Sequence, residues 1–81
     1  MKRGINSKIT PAMIALVFEG ALAKKFPRPA LARKICEMRA EGADFPTIGK
    51  KYGLNPTTTR QIVVRAITLY RLNEIQEANH A

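Results

Sequence analysis

The sequence predicts an all-α chain, a small domain of four helices with the last of them long. Three observations carry that class. Apolar residues recur at three- and four-residue spacing, and no stretch alternates with the two-residue period of a strand. Pro11, Pro29, Pro46 and Pro56 each stand where a helix can open, because the N–H that proline lacks is unused in a first turn. Aliphatic residues are plentiful, aromatic ones few and Trp absent, which suits a compact helical core. With 81 residues the chain is one domain, near the lower size at which a core holds without staples.

Residues 1–9, with Lys2, Arg3 and Lys8 and little to bury, read as a mobile basic arm. Thr10-Pro11 starts the first helix by a hydroxyl cap and a first-position proline. Its stripe is Ile14, Val17, Phe18, Ala21 and Leu22, and it is expected to run to about Lys25, before the two prolines of "FPRP". Pro29 opens the second helix, "PALARKICEMRAEG", with Leu31, Ala32, Ile35 and Met38 inward and Gly42 as a left-handed stop. Asp44 caps a short third helix, "FPTIGKKY", which Gly53 ends. Asn55-Pro56 begins the fourth, expected to pass Arg71 and reach Glu77, leaving 78–81 as a frayed tail. The single helical domain therefore covers residues 10–77.

Two helices joined by "GLN" make a helix-turn-helix at about residues 45–72. Such a pair needs a small residue where the backbones meet, supplied by Gly49, and a residue tolerant of positive φ in the turn, supplied by Gly53. Ile48, Tyr52, Leu54, Ile62 and Ala66 are expected to face inward against the second helix. Thr57, Thr58, Arg60, Gln61 and Val64 then fall on the outer face of the fourth helix. In a major groove, Arg can pair with guanine and Gln with adenine, while Thr and Val methyls meet thymine methyls. Val64 is expected to be exposed, a placement that suits a groove better than water. Lys50, Lys51, Arg65 and Arg71 are placed for phosphates, which orient a protein without reading sequence. Arg28, Arg33 and Lys34 are further cations that would extend this footprint.

The charge agrees. Fourteen Lys and Arg against six Asp and Glu give a formal +8, pointing to a polyanion, with nucleic acid ahead of an anionic membrane. The N-terminal apolar stretch is interrupted by Glu19 and Gly20 and is too short to span a bilayer, so neither a signal peptide nor a membrane anchor is expected. Cys36 stands alone and reads as a small buried hydrophobe, and a reducing cytoplasm is the expected compartment. His80 falls in the tail, the carboxylates are scattered, and no metal-ligand or cofactor spacing occurs. No enzymatic activity and no cofactor are expected.

Residues 28–71, "RPALARKICEMRAEGADFPTIGKKYGLNPTTTRQIVVRAITLYR", resemble the fourth conserved region of bacterial primary sigma factors, which reads the promoter −35 element. "IGKKYGL", "RQI" and "RAITLYR" carry most of the likeness. The resemblance implies that Arg60 and Gln61 contact bases and that Arg65 lies near the DNA backbone. The chain departs from the family at Pro56-Thr57, where charged residues are usual, and at Thr59, where an aliphatic is usual. The other sigma regions have no counterpart in this sequence. The expectation is a small sigma-like transcription regulator of the phage or mobile-element kind, associated with the nucleoid.

Two apolar features lie outside the motif. Met13 and Leu16 flank the stripe of the first helix, and Val63, Ile67, Leu69, Tyr70, Leu72 and Ile75 make the last helix apolar on more than one side. Packing of the first helix on the last accounts for part of this, and a homodimer through the same two helices would cover the rest. The leading reading is a sequence-specific reader of double-stranded DNA. The alternative is a protein-interaction module that engages RNA polymerase or a host regulator through its apolar surface. A recombinase accessory and a membrane-surface helix are weaker readings.

Overall fold

The computed structural model of the chain describes residues 8–80, with side chains described to residue 76. The order is α1 (Pro11–Phe18), a 3-10 turn (Ala21–Lys25), α2 (Pro29–Ala40), α3 (Phe45–Tyr52) and α4 (Pro56–His80). No strand occurs among the described residues. The four-helix, all-α class is as expected.

Three starts follow one local rule. The Thr10 hydroxyl accepts from Met13 N–H at 3.3 Å, the Asp44 carboxylate from Thr47 N–H at 2.9 Å, and the Asn55 side-chain oxygen from Thr58 N–H at 2.8 Å. Each satisfies one amide donor that a helix start leaves open. The Thr47 side-chain hydroxyl, and after it the Thr47 N–H bond, hold the Asp44 carboxyl below the usual carboxylate range. At α2 the N-cap is Arg28, whose side chain makes no cap bond. Two ends are as regular. Gly42 (φ 104°) closes α2, with Ala43 N–H donating to Met38 O and Gly42 N–H to Arg39 O. Gly53 (φ 72°) closes α3, with Leu54 N–H donating to Gly49 O at 2.8 Å.

The first helix is shorter than expected. It stops at Phe18, Gly20 is extended, and only a 3-10 turn follows to Lys25. The reason lies in Phe26, which is buried and places its ring 5.0 Å from that of Phe18. On one continuous helix those residues would stand about 12 Å apart along the axis. The Gly20 break lets the chain double back so that both rings meet. Ala21, expected inward, is exposed.

α1, α2 and α3 all pack on α4. The core comprises Ile9, Ile14, Val17, Phe26, Ala32, Ile35, Cys36, Ile48, Val63, Ala66 and Ile67. Ile9 is a correction to the basic arm, which was expected to bury little; residues 1–7 of that arm lie outside the described residues. Leu31 and Met38, expected to lead the inner face of α2, are half-buried, and Cys36 takes part of that role. Burial pushes the Cys36 thiol up to about 12, with a smaller contribution from the Glu37 carboxylate. α4 continues past the expected Glu77 end to His80, through most of the stretch expected to fray.

Candidate nucleic-acid interface

The helix-turn-helix is built around Gly49. A Cβ there would be driven into the carbonyl oxygen of Leu54. Gly49 also gives its own carbonyl to Leu54 N–H, so the turn folds flat onto the backbone of α3. The backbone met by Gly49 is therefore that of the turn Gly53–Asn55, just ahead of α4, rather than the body of α4. Gly53 supplies the left-handed residue, and Asn55 caps the emerging helix.

The buried stripe of α4 is rotated from the expected one. Thr59, Val63, Ala66 and Ile67 face the core, spaced by four, three and one, whereas Ile62 is half-buried. Tyr52 and Leu54 are half-buried as well, and Ile48 is fully inward. Thr59 is the polar member of this stripe. Its hydroxyl donates to Pro56 O at 2.7 Å and has Phe45 O at 3.4 Å as a distant alternative acceptor. An aliphatic would fill the same volume, but the hydroxyl also bonds back to the Pro56 carbonyl in the first turn of α4. Thr59 was the functional-scaffold residue that sequence reasoning missed, although its place four residues before Val63 and seven before Ala66 marks it as inward.

With that stripe inward, Thr57, Arg60, Gln61 and Arg65 are exposed on the first three turns of α4. Thr58 is half-buried, with its N–H on the Asn55 cap. Val64, expected to be exposed, is half-buried instead. It lies in the wall of an open groove of about 1000 Å³ between α4 and the segment that leads into α2. Thr58, Arg60, Gln61, Val64 and Arg65 all line this groove, as do Leu31 and Ile62. Thr57, Lys50, Lys51 and Arg71 do not. Lys50 and Lys51 are exposed on the last turn of α3, and Arg71 is exposed about 9 Å beyond Arg65 along α4.

The electrostatics favour an anion from outside. Among the described residues, Lys50, Lys51, Arg60, Arg65 and Arg71 form no ion pair. The first turn of α4 carries no acidic residue, so the positive end of its dipole is not offset there. Arg33 behaves differently. Its guanidinium donates to Glu19 at 2.9 Å and to Glu37 at 3.2 Å, and these bonds raise its pKa, the Glu19 bond most. Arg39 is also engaged, lying 4.5 Å from the centroid of the Phe45 ring and donating to Ala43 O.

Among the described residues, no group of three or more His, Cys, Asp or Glu is placed to hold a metal ion, and no helix is long and apolar enough to cross a membrane. The described side chains end before His80. No protein-family model, curated protein or solved structure matches the chain.

Proposed function

We propose that the protein is a sequence-specific, double-stranded-DNA-binding regulator of transcription, sigma-like in its helix-turn-helix. Residues 56–72 of α4 lie in the major groove. Arg60 and Gln61 read base edges there, with Thr57, Thr58 and Val64 beside them, while Lys50, Lys51, Arg65 and Arg71 take phosphates. The observation that carries this reading is the exposed Arg60-Gln61 pair on the first turns of a helix whose entry is held by Gly49, Gly53 and Asn55. A homodimer belongs to the same reading, since Leu16 on α1 and Leu72 and Ile75 on α4 are exposed large apolar residues. Two copies would then present two reading helices to adjacent half-sites. Such a regulator acts on the nucleoid of a bacterial or phage-infected cell.

The test is selection from a randomised duplex pool at physiological salt, with wild type beside Arg60→Ala/Gln61→Ala. Wild type is expected to enrich a motif and the double variant to lose it. No enrichment by wild type would overturn the reading.

The apolar floor of the groove, with Leu31, Leu54, Ile62 and Leu69 along it, supports one other reading: a protein partner such as RNA polymerase. In that case the Arg60/Gln61 double variant keeps its regulatory effect.

A further inference from the structure

The groove has a second bank that the helix-turn-helix does not supply. Opposite the outer face of α4 it is lined by Lys25, the last residue of the 3-10 turn, and by Arg28, the residue before α2. Both are exposed, and neither forms an ion pair among the described residues. No described carboxylate lines the groove. Glu37 and Glu41 line a separate cleft together with Arg33.

We infer that Lys25 and Arg28 bind phosphates of the same duplex that α4 reads, so that one sugar-phosphate strand lies in the groove between them and Arg65. This rests on the DNA reading proposed above and extends its footprint outside the helix-turn-helix. Charge complementarity is the first support: cations stand on both banks, with no carboxylate between. The apolar floor, including Leu31 and Ile62, keeps water from the cations on one side and offers a surface to the sugars.

Arg28 supplies the second support. An N-cap position ordinarily favours Ser, Thr, Asp or Asn, and the positive end of a helix disfavours a cation. At α2 the N-cap is Arg28, uncapped, with no acidic residue in the first turn to compensate. A residue that breaks a local rule without an internal remedy is a mark of function, and an external phosphate is the remedy that fits here. Pro29 restricts the backbone of Arg28, the residue before it, so the main chain there needs little further ordering when the anion arrives.

The same view sorts the remaining cations. Arg33 already holds Glu19 and Glu37. Lys24 and Lys34 are exposed but do not line the groove. They therefore form a charge-matched control. The experiment measures the affinity of wild type, Lys25→Gln/Arg28→Gln and Lys24→Gln/Lys34→Gln across a salt series. The probes are a short duplex carrying the motif that wild type enriches, and the same duplex with that motif scrambled.

Each phosphate contact contributes about 0.9 to the slope of log affinity against log salt. The Lys25/Arg28 variant is expected to lose about two from that slope. It should weaken on both duplexes alike, keeping the preference for the motif, while the control pair keeps the wild-type slope. An unchanged slope for Lys25→Gln/Arg28→Gln would overturn the inference and leave the DNA reading standing. Equal losses in both double variants would overturn it too, showing only net charge at work. If wild type enriches no motif and shows no salt-dependent binding, this inference and the DNA reading fall together.

Discussion

A single methyl group at Gly49 is expected to loosen the motif. Alanine is the better helix former by about 1 kcal/mol, but overpacking against rigid backbone costs about 1–3 kcal/mol or more. The clashing atom is the Leu54 carbonyl oxygen, which also belongs to the chain that Gly49 O holds, so it has little room to give. Gly49→Ala should therefore lower the unfolding free energy by roughly 2 kcal/mol net, read from urea denaturation. A variant as stable as wild type would show that the turn yields freely. Cys36 makes a different prediction. Its thiol is fully buried, and its folded pKa is raised from 9.0 to about 12. The unfolded chain releases that proton first, so stabilisation by the neutral thiol is complete below about pH 9 and is lost as pH rises towards 12. The loss over the whole window is at most about 4 kcal/mol. Between these limits wild type should lose stability more steeply than Cys36→Ala, and parallel pH profiles would refute the assignment.

At the scale of elements, the helix starts were the most legible part of the sequence. Thr10, Asp44 and Asn55 cap as their residue types dictate, and Gly42 and Gly53 end helices for the reason glycine usually does. These are short-range events, decided within four residues. The break at Gly20 was not legible, because its cause is the meeting of Phe18 with Phe26, a contact visible only after the chain has folded back. The rotation of the α4 stripe was hidden for a related reason. Ile62 and Val63 are both β-branched and apolar, and three neighbouring helices decide which one faces in. Of the candidate interface, the exposed Arg60, Gln61 and Arg65 were legible from periodicity. Of the second bank, Arg28 was among the cations expected to extend the footprint. Lys25, and the placement of both across a groove from α4, were not legible, since nothing local brings residues 25–28 alongside α4. The far end of α4 carries its own prediction. Leu72 and Ile75 are about half exposed, 50% and 55%. If they form the dimer seam, wild type should sediment as a dimer and Leu72→Glu/Ile75→Glu as a monomer of equal helicity. A monomeric wild type at working concentrations would remove the dimer.

Over the whole molecule, the positive charge is concentrated by the way the acids are used. Glu19 and Glu37 are taken up by Arg33, Asp44 caps α3, and Glu74 accepts from the Tyr70 hydroxyl at 2.9 Å. The Lys and Arg residues around α4 and the groove are left to act on solvent or on a partner, which is why salt is the informative variable for this protein. A mechanical consequence follows from α4 itself. It runs from Pro56 to His80 without interruption, and Thr57 and Ile75 are separated by eighteen residues, or five full turns. They therefore share one side of a rod, about 27 Å apart. Whatever grips the rod near Ile75 aims it, because a tilt of about 10° about that end moves Thr57 by roughly 5 Å, more than one base-pair rise of about 3.4 Å. On the DNA reading proposed above, a hold placed about four turns from Gln61, touching no nucleotide, would thus choose which base pair stands opposite it.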